Sequence, residues 1–242
     1  MHRILLATLL ALITLTQAQA ACEAHSGAQR THLVELFTSE GCDSCPPAEH
    51  WMSSLVKHPE LIGLEYHVDY WDNKEWRDPF GDHAYTVRQQ TLVKRFNHDQ
   101  SYTPQIWLDG RLWSNWPKGS PPEAVNGSAP MLHMSADSAD NLQVKVDTQG
   151  AAAGPDYRIY AALTENGLSE HVRGGENRGK TLSHDEVVRL FAGPYALPNA
   201  EIAMKVPAGV ERNRASMVAF VQDERDGSIV QAIRMPLSEC RK

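Results

Sequence analysis

Two domains are predicted from the sequence: an α/β domain, then a mainly antiparallel, sandwich-like β domain. Three observations carry this. The apolar run at residues 33–37 leads into a C-x-x-C pair, Cys42 and Cys45, and then into a helical pattern, which reads as strand, turn and helix. A stretch rich in Pro, Gly and Ser, residues 117–130, interrupts the chain. Beyond it apolar residues recur at every second position, as in Leu142, Val144 and Val146, the period of a half-buried strand.

The first twenty residues read as an export signal. His2 and Arg3 precede an apolar stretch at residues 4–15, and Ala18-Gln19-Ala20 forms a small-residue cleavage site. The apolar stretch is too short to span a membrane. Cleavage after Ala20 removes Arg3, so 22 of the 23 basic residues face 30 acidic ones, a net charge of −8. An acidic chain without a basic stripe argues against nucleic acid and anionic membrane surfaces as partners. The expected organisation is a signal at 1–20, an α/β domain at 21–125 and a β domain at 131–242. The expected location is the periplasm or the exterior, where disulfides persist.

Cys42 falls at a strand-to-helix turn. Ala48, Trp51, Met52, Leu55 and Val56 share one helical face, and Pro46 and Pro47 stand in the first turn, where a missing N–H costs least. The free N–H groups and dipole of a helix start favour a thiolate, the form that attacks disulfides. Position also separates the two sulfurs: Cys42 is expected to be reachable by solvent, and Cys45 to lie one turn in, toward the buried face. Half a zinc site has the same spacing, but Cys22 and Cys240, at the chain ends, form no second knuckle. Four cysteines allow three pairings. A Cys22–Cys240 bond would tie the ends together and, by loop entropy, contribute at most about 5 kcal/mol.

Residues 61–68 read as a second strand, with His67 as a satisfied core or edge histidine. The loop at 69–83 mixes Tyr70, Trp71, Trp76 and Phe80 with Asp69, Asp72, Glu75 and Asp78. A binding rim and a small core under a long loop are equally compatible with it. Its acids lack calcium-loop spacing. Residues 83–96 have helical spacing, and Asp109-Gly110 between short apolar runs is a strong hairpin signal. Pro104, which cannot donate to a ladder, opens the first of those runs.

Strand, CxxC, helix, strand, helix, Thr103-Pro104 and hairpin follow one another in an order that resembles the thioredoxin fold. The resemblance implies that Cys42 is the nucleophile, that Cys45 resolves the mixed disulfide, and that Thr103-Pro104 is a cis-proline loop against the CxxC. It also implies that Glu35, near the place of a buried acid, relays a proton to Cys45. More closely, VELFTSEGCDSCPPA, HVDYWD, TPQ and GENRGKTLSHDEVVR resemble an uncharacterised family of secreted thioredoxin-like bacterial proteins.

In the C-terminal half, residues 157–163, 186–191, 201–206, 216–221 and 228–235 read as strands. Between them, residues 173–186 lack phosphate-loop spacing. Glu176, Asn177, His184 and Asp185 are candidates for a second polar site, though an ordinary long β-loop is the plainer reading.

The leading expectation is a thiol–disulfide oxidoreductase that needs no cofactor and acts on a protein or small thiol partner. Glu40 and Asp43 would oppose a Cys42 thiolate by charge repulsion. Two alternatives belong to other classes. One is a copper carrier using Cys42, Cys45 and either His50 or His67, since Cu(I) favours thiolates. The other is a binding module in which the CxxC is only structural.

Overall fold

The structure, a computed structural model, describes residues 22–55, 57–58, 60–96, 100–118, 129–137, 141–150 and 154–240. Residues 1–21, with the predicted export signal, and residues 119–128, in the middle of the predicted linker, lie outside them. The described chain runs β1 (Cys22–His25), β2 (His32–Thr38), α1 (Pro46–Leu55), β3 (Leu61–His67), α2 (His83–Arg95), β4 (Gln105–Leu108) and β5 (Arg111–Leu112). Then come β6 (Met131–Ala136), β7 (Asn141–Gln149), β8 (Tyr157–Glu165), β9 (Leu168–His171) and β10 (Thr181–His184). The last strands are β11 (Val187–Ala196), β12 (Asn199–Lys205), β13 (Ala215–Asp223) and β14 (Ile229–Pro236).

Local chemistry explains the helices and the hairpin. In α1, Ala48, Trp51, Met52 and Leu55 are buried at i, i+3, i+4 and i+7, the stripe that packs a helix onto a sheet. Asp82 caps α2 by accepting from the Ala84 amide, and Lys94 and Arg95 lie in its last turn, where the helix dipole favours cations. Asp109 and Gly110 between β4 and β5 have φ of 49° and 78°, the left-handed pair that a two-residue hairpin needs.

Tertiary pairing overturns the predicted fold class. The protein is mainly β, with two α-helices against fourteen strands among the described residues. It is not an α/β thioredoxin-like domain followed by a separate β sandwich. One eight-stranded sheet runs β14-β13-β8-β11-β3-β2-β4-β5 and draws strands from both halves of the chain. The joint is narrow: β11 meets β3 in parallel at Val187 and Glu65, and the Glu65 amide donates to Glu186 O at 2.9 Å. The N-terminal β1 also crosses over, pairing with β6 in a four-stranded sheet ordered β1-β6-β7-β12.

The physical reason lies in β8 and β13. Seven of the nine residues of β8 are buried in an unbroken run, and β13 is buried throughout. Strands covered on both faces belong to the middle layer of a three-layer structure. On one side Ile159, Ala161, Leu163, Met217 and Ala219 pack with Val144, Val146 and Ile202 of the four-stranded sheet. On the other, Tyr160, Ala162, Val218 and Phe220 share a core with Tyr66, Tyr85 and Leu92 beneath α2. A third core joins Val34, Leu36 and Ile106 to α1.

Cys22 is bonded to Cys240, with Cα atoms 4.3 Å apart, and Cys42 to Cys45. Two closed disulfides are consistent with an extracellular protein. No helix among the described residues is long and apolar enough to cross a membrane.

Candidate functional site

The site lies where the parallel strands β2 and β3 end at their carboxyl termini, a position where α/β sheets commonly bind ligands. Beyond β2 the chain makes a tight turn, with the Cys42 amide donating to Ser39 O at 3.1 Å. The carbonyl of Cys45 accepts from the amides of Ala48 and Glu49 at 2.8 and 3.2 Å and so opens α1. The Cys42–Cys45 disulfide spans this helix start.

Cys42 is not solvent-exposed as expected: both sulfur-bearing residues are 0% exposed. The reason is a cover from the far end of the chain. β9 and β10 pair as a two-stranded ribbon, and their connection at residues 172–180 lies on the CxxC turn. Asn177 Nδ2 donates to Glu40 O at 3.0 Å and to Cys42 O at 2.7 Å. The Asp43 amide donates to Glu176 Oε2 at 3.0 Å, and the Glu176 amide to Gly41 O at 3.0 Å. The aromatic loop completes the cover. Trp71 lies against Gly41, Trp76 against Gly174, and Trp71 Nε1 donates to Thr103 Oγ1 at 2.8 Å.

Beneath the disulfide lies a buried polar cluster. Leu36 and Thr38 of β2 pair in register with Glu65 and His67 of β3, so all four point to the α1 face, where strand alternation places them. His67 bonds Asp78 Oδ2 through Nδ1 at 2.9 Å and Glu65 Oε1 through Nε2 at 3.1 Å. His184, arriving from β10, bonds Glu40 Oε1 through Nε2 at 2.7 Å and Glu65 Oε1 through Nδ1 at 3.0 Å. Glu49 accepts from Thr38 Oγ1 at 2.5 Å, and its Oε2 lies 3.5 Å from His184 Nδ1. Phe80 closes the cluster edge-on to both imidazoles.

Burial and ion pairing compete here. Burial disfavours a charged His184, but hydrogen bonds with Glu40 and Glu65 outweigh it and lift its pKa to about 10. Burial likewise opposes a charged His67, yet Asp78 and Glu65 hold it well above its ordinary value. Burial would raise Glu65, but its hydrogen bonds to His184 and His67 keep it below the usual carboxylate range. For Glu49 burial prevails, reinforced by the Glu65 charge, and the carboxyl is pushed up to about 7.

The residues singled out in the sequence divide into two groups. Cys42, Cys45 and Thr103 come together, the last through Trp71. The Thr103–Pro104 peptide is cis, and Gln105, next in the chain, pairs with Phe37 near the end of β2. Glu35 is not brought to the CxxC. It points to the α2 face, where Arg88 Nε and Nη2 grip its two oxygens at 2.9 and 3.0 Å. Glu40 turns inward to His184 rather than toward Cys42. His50 is exposed, and Asp185 serves the Gly167 amide. Glu49 and Glu65 were not expected in a site, and Asp78 only as one acid of the binding rim weighed for the aromatic loop. The signal that could have found Glu65 was its place, two residues before His67, inside an otherwise apolar strand.

The model for the family described as Protein of unknown function (DUF1223) matches residues 33–222, and the chain belongs to that family. No curated protein matches. A crystal structure of a structural-genomics protein from Agrobacterium tumefaciens is similar, with a TM-score of 0.58 and 22% identity over 90% of this chain and 99% of that one. HBP35 of Porphyromonas gingivalis superposes with a TM-score of 0.62 and 13% identity over 89% of this chain and 77% of the other. At these identities both likenesses concern the fold alone.

Proposed function

We propose that the protein is a periplasmic or secreted thiol–disulfide oxidoreductase of thioredoxin-like chemistry, with Cys42 as the exchanging sulfur and Cys45 as the resolving one. The observation that carries this reading is the position of the disulfide: it lies between the carboxyl end of β2 and the start of α1. That position puts Cys42 near the positive end of the α1 dipole, which favours a thiolate; Pro46 and Pro47 carry no N–H, and the Ala48 and Glu49 amides are taken by Cys45 O. In the reducing direction the Cys42 thiolate attacks a substrate disulfide, forming a mixed disulfide and releasing one substrate thiolate. Cys45, deprotonated, then attacks Cys42 Sγ. The second substrate thiolate leaves, and the Cys42–Cys45 bond closes. Two electrons pass to the substrate, and its two thiolates take up protons. The oxidising direction is the same sequence reversed.

The cover at residues 172–180 adds a condition. With both sulfurs buried, a protein thiol reaches Cys42 only when Asn177 and Glu176 release the turn. Thr103 and Pro104, linked to the turn through Trp71, would then border the exposed sulfur on its other side. The test is mixed-disulfide trapping in the Cys45→Ser chain. That variant is expected to capture thiol partners through Cys42, while Cys42→Ser captures none. Absence of capture by Cys45→Ser, together with absence of exchange by the wild type, defeats the proposal.

A further inference from the structure

We propose that Glu65, His67 and His184 form a buried binding site for a divalent metal ion of the zinc type, directly beneath the CxxC. Glu65 Oε1, His67 Nε2 and His184 Nδ1 all lie within 4.8 Å of one another. Both imidazoles aim these nitrogens at the same carboxylate oxygen, at 3.1 and 3.0 Å. Two imidazoles and a carboxylate are a donor set that zinc accepts.

The outer halves of the two rings strengthen the case. His67 gives its other nitrogen to Asp78 at 2.9 Å, and His184 gives its other nitrogen to Glu40 at 2.7 Å. Metal-ligating histidines are held in this way, with a carboxylate on the far nitrogen fixing ring orientation and tautomer. The pattern occurs twice here, on histidines separated by 117 positions in the chain.

A second observation is independent of those bonds. Among the described residues Glu65 Oε2 and Glu40 Oε2 have no hydrogen-bond partner, and both side chains are 0% exposed. Buried carboxylate oxygens are costly when unpaired. Four carboxyl groups, of Glu40, Glu49, Glu65 and Asp78, surround two imidazoles in this space. A cation at the shared Glu65 oxygen would balance that excess. Glu49 Oε2, 3.5 Å from His184 Nδ1, is the nearest further carboxylate.

No thiolate belongs to this donor set, so the inference is separate from disulfide exchange and from thiolate-bound copper. It is therefore tested with both disulfides closed. The full oxidised chain is refolded with Zn²⁺ or Co²⁺ and dialysed, and bound metal is counted by mass spectrometry. One ion per chain is expected, with a Co²⁺ spectrum that lacks thiolate charge transfer. His67→Gln and His184→Gln should each abolish binding. Asp78→Asn, which weakens the outer bond of His67 and also alters the bonds that Asp78 accepts from the Glu40 and Phe80 amides, should weaken affinity by about 10–100-fold. Cys42→Ser/Cys45→Ser should bind as the wild type does. If either histidine variant fails to fold by circular dichroism, Asp78→Asn and the cysteine pair decide. The proposal is overturned by a folded wild type that holds no ion, by binding that Asp78→Asn leaves unchanged, or by binding that requires the cysteines.

Discussion

The side-chain amide of Asn177 donates to the carbonyl oxygen of Cys42 across 2.7 Å, and the same nitrogen reaches Glu40 O across 3.0 Å. One side chain from the β9–β10 connection thus fastens the cover onto the turn that carries the disulfide.

Asn177→Ala removes both bonds and leaves two buried carbonyl oxygens short of a donor, a loss of about 1–3 kcal/mol. Most of it falls on the covered state, because the carbonyls are hydrated when the cover lifts. Reduction of Cys42–Cys45 by a small thiol should therefore accelerate on the order of tenfold, since 1.4 kcal/mol is a factor of ten. Timed alkylation followed by peptide mass spectrometry reads the rate. An unchanged rate would show that the cover does not govern access.

Glu35 and Arg88 lead to a prediction of the opposite kind. Their bidentate pair is buried, and Arg88 Nη1 also donates to Gln222 at 2.8 Å, tying α2 to β2 and β13. The guanidinium further lies over the rings of Tyr160, Phe191 and Phe220. Glu35→Gln leaves a buried cation without its counter-ion and should lower stability by about 3–5 kcal/mol in urea unfolding. Disulfide exchange by the molecules that stay folded should be unchanged, because Glu35 faces away from the CxxC. A selective loss of exchange in a fully folded variant would restore the relay role to this residue.

How much of this was legible follows from the range of each interaction. The α1 stripe, the α2 repeat and the Asp109-Gly110 turn depend on neighbours a few residues apart, and periodicity reports those directly. The joint between β3 and β11 rests on one register pair, Val187 with Glu65, and no local pattern encodes it. For the same reason an α/β half and a β half looked separable. The polar cluster is an intermediate case. In the sequence His67 reads as a satisfied core or edge histidine and His184 as a candidate for a second polar site, while Glu65 is one charged residue inside an apolar strand. Their meeting needs strand pairing together with a ribbon folded back across the helix start.

The Cys22–Cys240 bond closes nearly the whole described chain, with a sequence separation of 218. It joins β1, at the edge of the four-stranded sheet, to the segment after β14. Cys22→Ser/Cys240→Ser should lower the unfolding free energy by about 2–5 kcal/mol, mainly by freeing the unfolded chain. The shift in urea midpoint checks this, and the Cys42–Cys45 bond should still form. A negligible shift would mean that the interlocked sheets already hold the ends.

Two glycines of the cover separate its local strain from its fit against the CxxC turn. Gly175 and Gly179 have φ of +68° and +85°, so alanine at either costs about 1–2 kcal/mol of backbone strain. Their surroundings differ. A Cβ on Gly175 would stand 2.7 Å from Gly41 Cα and 3.0 Å from Gly41 O, whereas one on Gly179 would have nothing within 4 Å. The clash at Gly175 is with backbone, which no side-chain rotation relieves. It can be relieved only by lifting the connection from the turn, and that would strain the Asn177 and Glu176 bonds as well. Gly175→Ala should therefore speed reduction of Cys42–Cys45 at least as much as Asn177→Ala does. Gly179→Ala should reduce stability without changing the rate. Equal acceleration by both would assign the effect to loosening of the loop as a whole, and the close fit between Gly41 and Gly175 would no longer explain why the disulfide is buried.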